Sequence, residues 1–518
     1  MIRLLRILGI MLPAVLLAQG QTAFEVATFD KTRVIKSANE YLKEKPITIT
    51  ASSSPRSAGG KHDFFSEGDY WWQNPDDQNG AYIQRDGMSN PDNFVDHRRY
   101  LMRLSVEVPA LTAAWMISKD SRYAKKAAEH LRAWFLDEET RMNPNLQFAQ
   151  AIKGITTGRG VGVIDTIHLV EVAKSIEILE NSKTLKRAET DGIKKWFSDY
   201  LQWMTTSKNG LEEREAKNNH GTCWVMQVAA FAHLTGNKEL LEYCGNRYKT
   251  VLVPNQIEND GGFPQELRRT KPYGYSLFNL EAFAVICQIL SISEDNLWKF
   301  ETTDGRGIGL AIKYMFPFIK DKKTWTRPPD VMYDKEFPMR QNSLLFSGIA
   351  LNQPEYVEVW KTLPPDSNVE EVIRNFFIRQ PILWIKSSEF KRGTHLAKQI
   401  EPDGKQPLEL ARTKSWSYST KNLEGMITLA ELGDVVGVDL WNFKTADGRG
   451  IRKTIEFLYP FAAGDKKWTF EQIEPFESER LWSVMRRAAL RYKDEPFQKM
   501  MSRVPKLVPD DAEFLFIN

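Results

Sequence analysis

The sequence predicts an all-α protein, and three observations predict it. Apolar residues recur at helical spacing, as in Leu101, Leu104, Val108 and Leu111. Short turn signals such as Thr235-Gly236-Asn237 separate one periodic stretch from the next. Strand patterns are few. A bundle, a solenoid and an α/α toroid all satisfy these observations. The 518 residues, 42% hydrophobic and 26% charged, allow a sizeable core. A formal charge of +3 does not point to nucleic acid, and it is compatible with an anionic ligand held where positive charge gathers in a cleft.

The elements follow in order. Arg3 and Arg6, an apolar stretch over 7–17 and the small residues Ala18 and Gly20 predict a secretory signal peptide over 1–20. That stretch is too short to span a membrane, and no later segment reads as a span. The mature chain is expected to be exported, to the periplasm or beyond, with no lipoprotein anchor. Residues 21–60 read as a lead helix and a polar loop. An aromatic loop follows over 68–91, with Asp69-Tyr70-Trp71-Trp72 and Arg85-Asp86-Gly87, and its Gly, Pro, Asn and Asp content argues against regular structure. Helices are expected from residue 97 to the break at Ser118-Lys119-Asp120, then over 123–135, 163–180, 188–206, 219–235, 238–251 and 275–290. The three cysteines, Cys223, Cys244 and Cys287, lie in apolar helical surroundings and read as packing residues, neither a disulfide framework nor zinc ligands.

The chain also repeats itself. Residues 256–325 align without gaps to 399–468, a shift of 143, with about 30 of 70 positions identical. Arg269 meets Arg412 and Tyr275 meets Tyr418, whereas Arg268 meets Ala411 and Tyr273 meets Trp416. The position opposite His220 is Leu363, in an unrelated stretch. The segment 387–518 therefore carries half a site at most. It reads as a non-catalytic helical extension, with an exchange of the two copies as the alternative.

Two segments hold the chemistry: Asn218-Asn219-His220-Gly221, and Glu266-Leu267-Arg268-Arg269-Thr270-Lys271-Pro272-Tyr273-Gly274-Tyr275. An amide, an imidazole, a guanidinium and a phenol can neutralise a carboxylate and move the proton on the carbon beside it, which is β-elimination on a uronic-acid polysaccharide. Fixed donors at the developing charge contribute most, and Asn219, His220 and Arg269 are such donors. Tyr275 serves as base and acid where proton and leaving oxygen share a face of the sugar. His220 as base with Tyr275 as acid serves where they do not. Each residue alone has a structural reading: a helix cap for the asparagines, packing for the tyrosine and surface charge for the arginines. The combination points to catalysis. Arg159, in Gly158-Arg159-Gly160-Val161-Gly162, together with the backbone amides of that turn, is a candidate holder of a sugar carboxylate, since no strand signal precedes it and the spacing is not a nucleotide fingerprint. Trp71, Trp72, Arg85, Trp224 and Arg268 complete the candidate substrate-binding set. Asp76-Asp77 reads as an exposed turn, so no metal site is expected. A glycoside hydrolase using two of Asp86, Asp165, Asp260 and Glu266 is a rival reading, as is an inactive polysaccharide-binding protein.

Residues 68–384 resemble the alginate-lyase superfamily of polysaccharide lyases, family 38 in particular and family 5 more distantly. The resemblance rests on the aromatic segment with Arg85-Asp86-Gly87, on Met142-Asn143-Pro144-Asn145-Leu146, on Gly158-Arg159-Gly160, on Asn218-Asn219-His220-Gly221, and on Glu266 onward to Asn279-Leu280-Glu281. It implies an incomplete (α/α) toroid over 21–386 and an eliminase that leaves a 4,5-unsaturated uronate. Alginate is the first expected substrate and glucuronan the second. It also implies a catalytic set of Asn219, His220, Arg269 and Tyr275, an aromatic loop lining the cleft, no redox cofactor and no catalytic metal. The 132 residues from 387 depart from the family pattern and look like a second family ending.

Overall fold

A computed structural model describes residues 18–292, 294–351, 353–385, 399–435, 439–445, 447–493 and 495–506. Residues 1–17 of the predicted signal peptide lie outside them, as do 387–398 and 507–518 of the predicted extension. The described residues are mostly helical and fall into two compact units, Met1–Ile385 and Lys386–Asn518.

The turn signals become helix caps. Helix α1 spans Ala18–Tyr41, α2 Asp96–Ser118 and α3 Ser121–Phe135. Lys119 ends α2 in the left-handed region (φ 60°), its N–H donating to Trp115 O, and Asp120 caps α3 by accepting from the Arg122 N–H at 2.9 Å. After α4 (Leu169–Leu179), α5 (Arg187–Thr206) and α6 (Lys208–Arg214) comes α7, Asn219–Thr235. Gly236 (φ 72°) terminates α7, and Asn237 caps α8 (Lys238–Arg247) through the Leu240 N–H.

Three expectations change. The helix expected over 163–180 begins as a 3-10 turn over Gly160–Thr166, in which Gly162 packs so closely on Ala149 that a Cβ would come within 2.6 Å. The helix expected over 238–251 gives way to a π turn over Tyr248–Leu252. The aromatic loop contains a small hairpin: β2 (Trp71–Trp72) pairs antiparallel with β3 (Ile83–Gln84), Trp71 opposite Gln84. Beside it, β1 (Phe65–Glu67) pairs parallel with β4 (Phe148–Ala151).

The first unit's core centres on two helices apolar on every side, α7 and α11 (Pro272–Leu290), packed on each other and on their neighbours. A helix hydrophobic all round is a core helix or a membrane span, and α11 is long and apolar enough for a span. It is buried among protein side chains instead, which corrects the expectation that no later segment reaches that composition. Cys223, Cys244 and Cys287 are free thiols in this core.

The second unit repeats the end of the first. After α9 (Val253–Gln256), α10 (Pro264–Leu267), α11, α12 (Ile308–Lys320), α13 (Asn342–Ala350), α14 (Pro354–Thr362) and α15 (Glu370–Asn375) close the first unit. In the second, α16 (Pro407–Leu410), α17 (Ser415–Val435), α18 (Ile451–Ala462), α19 (Arg480–Arg491) and α20 (Glu495–Met501) pack pairwise as α10 to α14 do. The ring contacts Tyr273–Trp325 and Phe318–Trp325 recur as Trp416–Trp468 and Phe461–Trp468. Each copy keeps its own core. Among the described residues the second unit has no counterpart of α7.

Candidate active site

Where the first turn of α7 meets the segment between α10 and α11, a cleft of about 490 Å³ opens in the first unit. Asn219, His220, Arg269, Tyr275, Trp71 and Arg159 all line it, with Tyr70, Asp86, His168 and Arg374. Residues far apart in sequence are brought together because α7 and α11 are the packed pair of the core, and both helices start at the cleft.

Buried carboxylates hold the first turn of α7. Glu266, wholly buried, accepts the Asn219 backbone N–H at Oε1 and its Nδ2 at Oε2, both at 2.7 Å. The negative charge sits at the helix N-terminus, where the macrodipole favours it. Burial nonetheless raises the Glu266 pKa against the Asn219 hydrogen bonds. The second hydrogen of Asn219 Nδ2 remains for a ligand. Glu213, also wholly buried, lies 2.8 Å from His220 Nδ1. Burial raises its pKa too, and His220 opposes the rise. A carboxylate there assigns the ring proton to Nδ1 and leaves Nε2 as the second ring nitrogen for chemistry. Gly221 is required by close approach, since a Cβ would meet Ala216 O at 2.2 Å.

The opposite wall carries the guanidinium and the phenol. Arg269 donates from Nη2 to Asp86 Oδ1 at 2.8 Å and from Nε to Oδ2 at 3.3 Å, and Thr270 Oγ1 donates to Oδ2 at 2.9 Å. Burial opposes the Asp86 charge, but these donors hold its carboxyl below the usual range. Arg269 Nη2 also reaches the Tyr275 hydroxyl at 3.4 Å and lies over its ring. The Tyr275 and Tyr70 hydroxyls are 2.6 Å apart. Burial raises the Tyr275 pKa, while the charge of Arg269 and the Tyr70 hydrogen bond pull it down. Lys271 faces the Tyr70 ring and pairs with Glu371 at 3.1 Å.

Arg159 is the cation without a carboxylate. Its Nε donates to Gln150 O at 3.0 Å and its Nη2 to Gln150 Oε1 at 2.9 Å, and it faces the Trp71 ring. Among the described residues it makes no salt bridge. A half-buried charge with only neutral partners is poised for an anion. The backbone part of the expectation does not hold, because Gly160 N–H donates to Glu212 and Gly162 N–H to Arg159 O.

Four predicted binding residues lie off this cleft. Trp224 is buried in the core and donates its indole N–H to Met204 O, because only the first turn of α7 reaches the cleft. Arg268 is exposed, bonds to Gln265 and lines a separate groove with Glu258, Asp260 and Arg327. Strand alternation turns Trp72 away from the face of Trp71, and Arg85 goes with it, its guanidinium 5.1 Å from the Trp72 ring centre.

The carboxylates argue against a two-carboxylate hydrolase, which needs one acid of raised pKa in contact with substrate. Each carboxylate lining the cleft is paired: Asp69 with Arg98 and Arg374, Asp86 with Arg269, and Glu371 with Lys271. Asp165 is buried under Ser66 and Arg98, and Asp260 caps a turn outside the cleft. Among the described residues no group of three or more His, Cys, Asp or Glu is placed to hold a metal ion.

The family model described as alginate lyase matches residues 48–325 and 383–468, so both copies of the repeat fall within it. The crystal structure of an alginate lyase from Bacteroides ovatus is similar at 30% identity and a TM-score of 0.61, over 70% of this chain and 97% of that one. An alginate lyase from Sphingomonas species A1 is similar at 16% identity and a TM-score of 0.42, over 72% of this chain and 98% of that one. No curated protein matches the chain.

Proposed function

The chain belongs to the alginate lyase family and is a polysaccharide lyase, and on that premise we propose that it cleaves a uronic-acid polymer by β-elimination in this cleft, with alginate the first substrate and glucuronan the second. The likeness to polysaccharide lyase family 38 and the incomplete (α/α) toroid over 21–386 belong to the same reading. So do export by a signal peptide over 1–20 and a non-catalytic role for 387–518.

Asn219, His220 and Arg269 neutralise the uronate carboxylate and so acidify the C5 proton. Tyr275, as phenolate, takes that proton. The electron pair of the C5–H bond becomes the C4–C5 double bond, the bond from C4 to the glycosidic oxygen breaks, and Tyr275 returns the proton to that oxygen. No water is consumed. The observation that carries this reading is the Tyr275 hydroxyl, which lies 2.6 Å from the Tyr70 hydroxyl and 3.4 Å from Arg269 Nη2, two groups able to donate to a phenolate oxygen. The His220–Glu213 pair supports a second assignment. The two uronates of alginate are C5 epimers, and where proton and leaving oxygen lie on opposite faces, His220 Nε2 takes the proton and Tyr275 gives one. Arg159 and Trp71 hold a neighbouring sugar of the chain.

Mass spectrometry of products formed in heavy-oxygen water tests the reaction class. Elimination gives oligosaccharides lacking one water at the new non-reducing end, with no heavy oxygen taken up in the cleavage step. Incorporation of one heavy oxygen per cleavage, with saturated products, would mean hydrolysis and end this reading.

A further inference from the structure

One wall of the cleft carries a group that the elimination leaves unused. His168 follows the 3-10 turn and precedes α4, on an apolar stretch of the lining with Ile164, Ile167 and Phe278. Its side chain is almost wholly buried, at 1% exposure, yet its Nδ1 has no hydrogen-bond partner among the described residues. Buried polar atoms without partners are rare and costly, so each needs an explanation. Arg159, Asn219, His220 and Arg269 on the same cleft each have a protein partner, in Gln150, Glu266, Glu213 and Asp86 respectively. The Trp71 indole N–H is likewise buried without a partner on the same lining. The cleft thus presents two kinds of reader. Its cations suit carboxylates, and the buried, unpartnered ring nitrogens of His168 and Trp71 suit something uncharged.

Burial, reinforced by Arg379, Arg374 and Arg98, holds the imidazole neutral, so it offers one donor and one acceptor and no charge. A neutral ring of this kind cannot replace the carboxylate binders, but it can read a sugar hydroxyl. The uronates that the active site would otherwise treat alike differ in this respect. Mannuronate and glucuronate carry the same carboxylate and leaving oxygen and are epimers at C2, so only a hydroxyl-reading group separates them.

We propose that His168 hydrogen-bonds a ring hydroxyl of the bound uronate and thereby selects among uronate epimers. The inference rests on the polyuronate reading of the cleft. A buried site that hydrogen-bonds a hydroxyl discriminates far more sharply than an apolar one, because the wrong epimer leaves the site's polar atom unpaired.

The test is a binding ratio, measured in the Tyr275→Phe background so that turnover does not intervene. Calorimetry gives Kd for oligomannuronate and oligoglucuronate with His168 intact, with His168→Leu and with His168→Gln. With Leu, the preferred oligomer should weaken roughly 10- to 100-fold while the other changes little, so that the ratio collapses, and Gln should restore part of it. Equal weakening of both oligomers, or no change in either, would overturn the proposal and leave His168 a packing residue. Thermal melting checks that each variant is folded, and His168→Ala takes the place of His168→Leu if the latter does not fold. Turnover of the native chain is read separately. Its absence would sink the lyase reading while leaving the binding ratio readable.

Discussion

Tyr70→Phe removes one hydroxyl and little else. The ring stays, still faced by Lys271 at 5.3 Å, and the Tyr275 hydroxyl loses its partner at 2.6 Å. If Tyr275 works as a phenolate, that partner is a donor to an anion. A hydrogen bond to a charged group is worth roughly 1.5–3 kcal/mol, and one pH unit corresponds to about 1.4 kcal/mol. Losing it should therefore raise the Tyr275 pKa by about one to two pH units. The sign is fixed: less phenolate at any given pH means a slower reaction below the pKa. The pH profile of kcat/KM reports this directly, because it follows the ionisation of the free enzyme. In Tyr70→Phe its rise should move to higher pH by that amount, with the limiting rate at high pH much less affected. Near neutrality the loss should be about 10- to 100-fold. A profile that stays in place, or a loss equal at every pH, would refute the phenolate and leave Tyr70 as packing.

Three further outcomes follow from the same geometry. Trp224→Ala should cost about 3–5 kcal/mol of stability, seen as a large fall in Tm, because it empties a core site; the folded fraction should bind substrate as before, and a KM effect without a Tm effect would return Trp224 to the binding set. Tyr418→Phe should leave turnover near normal, because its neighbour Arg412 lies over its ring and pairs with Glu409 in a unit that has no α7 counterpart among the described residues; a dead enzyme would mean the wrong copy has been chosen. Asp69→Asn tests the charge network under the hairpin. Burial alone would raise the Asp69 carboxyl, but Arg374 and Arg98 outweigh it and bring it from 3.8 to about 2. A carboxyl lowered on folding stabilises the protein above its unfolded pKa, and that gain fades as pH falls through the folded one. The native chain should thus lead the variant by at least about 2 kcal/mol at neutral pH, with the lead shrinking below pH ~4. A lead independent of pH would remove the ion pairing as its cause.

Much of the helical framework is legible in the sequence because local signals and tertiary packing agree. The Thr235-Gly236-Asn237 turn is one case: a left-handed Gly ends one helix and an Asn caps the next. The Asn219-His220 pair is legible because few residue types suit that chemistry. Their supports are silent. Glu213 sits in a charge run that reads as surface, and Glu266 lies 47 residues from Asn219, yet both are fully buried. Only folding shows which of many carboxylates is enclosed. Tyr70 stands beside two tryptophans whose size draws attention, and only the fold shows that Tyr70 and Trp71 line the cleft while Trp72 does not. Trp224 shows the limit of helical spacing. One turn beyond His220, it shares that residue's face, but α7 runs from the cleft into the core, and depth along the helix outweighs the face. The repeat is legible from identity alone, and so is its missing partner for His220, because Leu363 stands at that position.

The central claim is that Tyr275 drives elimination on a uronate polymer. The most direct measurement is the ultraviolet absorbance of the new conjugated double bond, followed with polymannuronate, polyguluronate and glucuronan for the native chain and for Tyr275→Phe. The native chain should give a steady rise with at least one polymer. Tyr275→Phe should be about 100- to 10,000-fold slower, with substrate binding retained. A flat trace with all three polymers from folded native protein, or a Tyr275→Phe variant as active as the native chain, would rule out elimination driven by Tyr275.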